Sequence, residues 1–266
     1  RSPYMSFFDY RDGVLCAEGV ALPVIADAVG TPVHVYSAGA LRHAANAFMS
    51  ALRGLPSARF AFAVKANPNG AVLRLLAECG YGADIVSGGE LRRALDAGIA
   101  PADVVFSGVG KTDQELIDAL EAGIGQFNLE LEEEGRVLAQ LARRRGMRAP
   151  AVLRVNPDVD GGTHAKITTG RRTSKFGVDI AGASDMYDRL AQLDGLDLQG
   201  VALHIGSQIS DLEPLEAAYR RIGALVLDLR ARGHPITRVD LGGGLGIAYR
   251  PEDVMPSLAA YAAMVA

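Results

Sequence analysis

The chain has 266 residues, 49% of them hydrophobic, and its 27 basic and 31 acidic side chains leave a net charge of −4. That composition supports a large α/β core in one domain or two smaller ones, and it lacks the basic excess of a nucleic-acid binder. No apolar run reaches the roughly eighteen residues of a membrane span, residues 1–10 lack the apolar stretch of a signal peptide, and Cys16 and Cys79 read as reduced thiols of a cytoplasmic protein.

Along the chain, strands are predicted near 33–36, 59–65, 83–86, 103–107, 126–129, 151–155, 200–205 and 236–241. Each is a short apolar run bounded by turns, the pattern of a parallel strand buried on both faces. The amphipathic stretches between them tend to stop at a glycine, as at Gly80, Gly98, Gly123, Gly146 and Gly233. Leu41, Ala45, Phe48, Met49 and Leu52 share one helical face, as do Leu215, Tyr219, Ile222, Val226 and Leu229. Ser87-Gly-Gly-Glu90 and Thr112-Asp-Gln-Glu115 read as capping boxes. Strand and helix alternate without a switch, which favours a TIM-like (β/α) barrel over an open doubly wound sheet. Segment 156–175 is long for a loop, and loops of that length are usually functional.

In a barrel, chemistry collects at the C-terminal ends of the strands. Lys65 follows the apolar run Phe60-Ala-Phe-Ala-Val and precedes the turn-rich Asn67-Pro-Asn-Gly70. It is either a lysine marking the strand exit or, held in a partly apolar mouth, a candidate for Schiff-base chemistry. His204 could be a satisfied core histidine, but the polar Gly206-Ser207-Gln208 that follows suits a ligand better. Gly242, Gly243 and Gly244 bare their backbone N–H groups to a phosphate, or form a flexible turn; their spacing is neither a dinucleotide fingerprint nor a Walker loop. Asp84 lies within a strand and needs a partner, while Glu90 reads first as the cap of its helix. His164, Lys166, Arg171, Arg172 and Lys175 are a solvated face or a lure for an anionic substrate. The five scattered histidines and Asp158-Val-Asp160 do not make a metal site, so none is expected.

Taken together, Ala63-Val-Lys-Ala-Asn67, Asp84-Ile-Val-Ser-Gly-Gly-Glu-Leu91, His204-Ile-Gly-Ser-Gln208 and Gly242-Gly-Gly-Leu-Gly246 resemble the fold-type III decarboxylases over roughly residues 10 to 250. These are enzymes that carry pyridoxal 5'-phosphate on a TIM-like barrel joined to a β-domain. Within that family, Ser87–Leu91, Thr163–Gly170 and Lys175-Phe-Gly177 are most similar to the branch acting on meso-diaminopimelate. The resemblance implies decarboxylation to L-lysine, with ornithine, arginine or carboxynorspermidine as alternative substrates and a non-catalytic cofactor-binding relative as the alternative outside enzymology. It implies that Lys65 carries the cofactor and that His204 stacks on its ring. It further implies that Ser207 and Gly242 to Gly244 hold the phosphate, with Asp84 and Arg154 as neighbours of the ring. It implies a homodimer at full length; from composition and residue spacing, no metal, nucleic acid or membrane partner is expected.

The family's Glu-Pro-Gly-Arg and Cys-Glu-Ser-Gly-Asp segments do not occur here. The expectation is therefore that residues 1–36 contribute to the second domain and that 37–266 form the barrel without its last strand. On that count seven strands begin at the Lys65 strand, the sheet is open beside 236–241, and these residues alone do not catalyse decarboxylation. The rival count takes 33–36 as the first strand and closes the barrel.

Overall fold

The structure, a computed structural model, describes residues 7–55, 57–159, 176–250 and 252–266. A three-stranded antiparallel sheet comes first, β1 (Phe8–Arg11), β2 (Val14–Ala17) and β3 (Val20–Ala21), followed by α1 (Leu22–Val29). Then α2 (Ala38–Ala51) leads into the repeating units. These are β4 (Ala61–Ala63) with α3 (Gly70–Glu78), β5 (Gly82–Ile85) with α4 (Gly88–Asp96), and β6 (Val104–Phe106) with α5 (Asp113–Ala122). They continue with β7 (Gln126–Leu129) and α6 (Glu132–Arg144), then β8 (Ala149–Asn156), β9 (Val178–Asp179) and α7 (Ile180–Ala191). The last are β10 (Leu196–Ala202) with α8 (Glu213–Ala231) and β11 (Arg238–Asp240) with α9 (Leu258–Val265).

Seven strands run in the order β4-β5-β6-β7-β8-β10-β11, all parallel, with β9 paired to β8 off this path. The α/β, TIM-like architecture is therefore the expected one, with β4 and β11 as the two ends of a curled sheet. Residues 33–36 are not a strand, which corrects the expectation for that segment. Val33 and Tyr36 have β-favouring side chains but are 40% and 55% exposed, with no paired strand among the described residues. Strand preference is largely the fit of a side chain to a pleated, half-buried neighbour, and among the described residues this segment has none.

The helices do what the sheet does not. Each of α2 to α9 packs on the next, and α9 packs back on α2, so the outer ring closes. Local chemistry explains the elements. Thr112 and Glu115 form both bonds of a capping box at the start of α5, and Gly123 ends it in the left-handed conformation at φ 73°. The second box is only half as expected: Ser87 accepts from Glu90 N, but Glu90 reaches past Ser87 to Val86 N at 2.7 Å. Three glutamates open α6 and two arginines close its last turn, complementing the helix dipole.

Val64, Leu73, Ile85, Phe106, Phe127, Leu153 and Leu190 are buried in one continuous core between sheet and helices. Inside the curl the lining is polar. Gln126 and Asn128 of β7 both reach Asp240 of β11, at 3.2 and 3.3 Å, although these strands are not neighbours in the sheet. Between the two sheet ends runs a line of aromatic groups. Phe60, just before β4, meets Phe48 edge-on at 5.9 Å, and Phe48 stacks on Tyr261 of α9 at 6.1 Å. The Tyr261 hydroxyl meets that of Tyr219 at 3.2 Å, and Tyr219 donates to the Leu241 carbonyl, one residue past β11, at 3.3 Å.

Among the described residues no helix is long and apolar enough to cross a membrane, and no cluster of three or more His, Cys, Asp or Glu could hold a metal. Cys16 and Cys79 are both free thiols.

Candidate functional site

The C-terminal ends of the strands gather the unusual groups. Lys65 sits in a single 3-10 turn, Val64–Ala66, directly after β4, anchored by buried Val64 with the lysine itself exposed. Asn67 and Asn69 use their side-chain oxygens to cap the following turns, so the chain leaves the strand in a fixed direction. Asp84 lies on β5 next to β4, and its Oδ1 is buried without a hydrogen-bond partner among the described residues. Burial pushes the Asp84 carboxyl up to about 6, and Asp240 adds to this, while the Ser107 hydroxyl, Lys65 and Arg154 oppose it.

His204 lies two residues past β10. Burial, then the Arg154 and Lys65 cations, lower it to about 4, so the ring is neutral near pH 7. The Gly243 N–H points at its Nδ1 from 3.4 Å. These shared influences bring Lys65, Asp84, Arg154, His204 and Asp240 into one electrostatic neighbourhood at the mouth.

The glycine-rich loop after β11 is knitted to the loop after β10. Ile209 N donates to Gly244 O at 2.8 Å and Gly246 N to Ile209 O at 2.9 Å. Gln208 closes the seam with its amide, donating to Ile247 O at 3.0 Å and accepting from Ile247 N at 3.1 Å. Gly242 and Gly244 have φ of 67° and 108°, and a Cβ on either would sit inside a carbonyl oxygen, of Leu203 and Gly206 respectively. Gly243 between them faces open space. Exposed Ser207 lies in the same pair of loops, so the sequence-picked phosphate residues do converge.

The cation-rich positions His164, Lys166, Arg171, Arg172 and Lys175 lie outside the described residues. Several groups went unnoticed in the sequence. Gln126 and Asn128 alternate on the inner face of β7, and with Gly242 N they give the Asp240 carboxylate three donors. Glu130, 1% exposed, binds Arg154. Lys111 spends its ammonium on Gly108 O, Asn128 O and Glu134, and is not available as a nucleophile.

The two perturbed groups oppose each other in acid. Asp84 is raised on folding, so its contribution is present at low pH and is lost as pH rises through about 6. His204 is lowered, so its contribution is present above its ordinary value of 6.5 and is lost as pH falls towards about 4. Replacing Asp84 with asparagine is expected to raise the melting temperature of the cofactor-free protein at pH 7.5. It is also expected to steepen the loss of stability between pH 6 and pH 4, where the histidine then acts unopposed. Thermal melts across that range test it, and parallel curves for the two proteins would refute it.

A family model described as pyridoxal-dependent decarboxylase, pyridoxal binding domain, matches residues 39–266. The curated diaminopimelate decarboxylases of Zymomonas mobilis and Pseudomonas fluorescens are 49% and 50% identical over 97% and 94% of the chain. The chain spans 62% and 60% of the length of those two relatives. Among solved structures, the diaminopimelate decarboxylase of M. jannaschii in complex with L-lysine matches at TM-score 0.91 and 33% identity. That match covers 98% of this chain and 62% of the other.

Proposed function

Because the chain belongs to the pyridoxal-dependent decarboxylases, we propose that it is the cofactor-binding barrel of an enzyme that decarboxylates meso-2,6-diaminopimelate to L-lysine. One observation carries the reading. A lysine stands at the end of β4 and a glycine cradle at the end of β11, with a neutral histidine and a buried carboxyl group that has one unpaired oxygen in the same neighbourhood. That set fits pyridoxal phosphate: an amine for the aldehyde, close-approach backbone for the phosphate, a flat uncharged ring for stacking, and a polar atom still seeking a partner.

In this reading Lys65 holds the cofactor covalently. Ser207 and Gly242 to Gly244 hold its phosphate, His204 lies against the ring, and Asp84 and Arg154 border it. The bound cofactor supplies the electron sink for the charge left when carbon dioxide departs. Burial of His204 keeps a second cation off the ring face, and Arg154 offers a fixed positive charge to an anionic ligand.

Residues 1–36 are read as part of a second domain and 37–266 as the barrel. In support, α1 buries none of its residues, and Val24 and Val29 are 61% and 67% exposed. A homodimer fits the exposed Val86, Val109 and Leu131 that follow three adjacent strands at the mouth. The two free thiols fit a cytoplasmic enzyme.

The test is carbon dioxide release by the full-length holoenzyme from meso-diaminopimelate, ornithine, arginine and carboxynorspermidine. Turnover of diaminopimelate is expected to dominate. Preference for another substrate would move the assignment to a sibling decarboxylase, and a bound cofactor with no turnover would favour the non-catalytic reading.

A further inference from the structure

Glu130 is one residue past β7, and its side chain is closed off from solvent at 1% exposure. Among the described residues, three donors converge on it, from β8, the loop after β6 and the turn before β9. Oε1 accepts from Arg154 Nη1 at 2.7 Å and from Gly108 N, after β6, at 3.1 Å. Oε2 accepts from Gly177 N at 2.8 Å. The residue is also held from behind: its own N–H donates to Glu134 at 2.8 Å, and Glu134 is paired with buried Lys111. Such a carboxylate is costly to bury unless it is paired and hydrogen-bonded, as it is here.

Arg154, 9% exposed, makes its hydrogen bond among the described residues to Glu130, and its guanidinium lies 5.2 Å from the centre of the Phe176 ring. Phe176 and Gly177 begin the segment that leads into β9 and α7. Gly177 sits at φ 72°, so close to β8 that a Cβ there would lie 3.1 Å from Arg154 O. Arg154 in turn acts on both Asp84 and His204.

We propose that Glu130 is a positioning residue. Through Arg154 and Gly177 it holds the guanidinium in the barrel mouth and fixes the close approach of Gly177 to β8 ahead of β9. The inference rests on the pyridoxal-phosphate reading and names a residue outside the cofactor's own contacts.

The experiment is an absorbance titration of the full-length apoprotein with pyridoxal phosphate, in the wild type and in E130D, E130Q, R154Q and E130Q/R154Q. E130Q leaves the guanidinium without its counter-charge and is expected to weaken cofactor affinity about tenfold, and E130D about threefold, because it keeps the charge but withdraws it by one methylene. The double variant is expected to lose no more than R154Q alone, since the two side chains act as one unit. A merely structural glutamate would lower the melting temperature and leave the affinity of the folded protein unchanged. That result, or losses that multiply in the double variant, would overturn the proposal. Should E130Q not fold, E130D decides: wild-type affinity there overturns it. A wild type that takes up no cofactor would overturn the functional reading, and this inference with it.

Discussion

Replacing Lys65 with alanine is expected to abolish the covalent adduct with the cofactor and to lower decarboxylation by at least about three orders of magnitude. Alanine has no amine to condense with an aldehyde, and no other lysine among the described residues is placed to substitute. Lys111 is buried against Phe106 with its three protons directed at two carbonyls and Glu134. Moving it to the cofactor would break a buried ion pair and leave Glu134 uncompensated. Lys65, by contrast, is exposed on a short turn whose base is buried Val64. Borohydride reduction of the wild-type holoenzyme, followed by peptide mass spectrometry, is expected to place the adduct on Lys65. Finding it on Lys111 or Lys175 would end the assignment.

Gly242→Ala is the second large effect. At φ 67° a side chain is already strained, and the new methyl would overlap Leu203 O and crowd the His204 Cβ at 3.1 Å. Either the glycine loop moves away from the loop after β10, or His204 is displaced. The expected cost is about 2–4 kcal/mol of stability, together with loss of measurable phosphate-dependent cofactor binding. The neighbouring Gly243→Ala serves as the control. Nothing lies within 4 Å of a Cβ there, so its melting temperature is expected to stay near wild type. Equal destabilisation by the two substitutions would show that the cradle is not shaped by this close approach.

Much of the site is legible in the sequence because its residue types are out of place. A lysine ending an apolar run, a histidine followed by Gly-Ser-Gln, and three glycines after a strand each break the local pattern. Glu130 breaks nothing. It opens the run Glu130-Leu-Glu-Glu-Glu134, which reads as the acidic first turn of a helix, and only the turn of the chain before α6 separates it from the others. Asp240, Gln126 and Asn128 are hidden differently. Their partnership spans 112 to 114 positions and crosses the inside of the curl rather than a hydrogen-bonded ladder, so neither periodicity nor strand adjacency announces it. Residues 33–36 show the converse: a run with strand character but, among the described residues, no strand to lie beside.

The aromatic line from Phe60 to Leu241 bears on how precisely the site can be built. The lysine and the glycine cradle stand on the first and last strands of the sheet, six pairings apart. Along the ladders, small variations in twist at each pairing add up, as tolerances do in a stack of machined parts, and the whole error falls on the gap between those two groups. The Phe48–Tyr261 stack and the Tyr219 hydroxyl bridge measure that gap by a shorter route, through α2, α9 and α8. They serve as a gauge block, setting the distance between amine and cradle independently of the long way round.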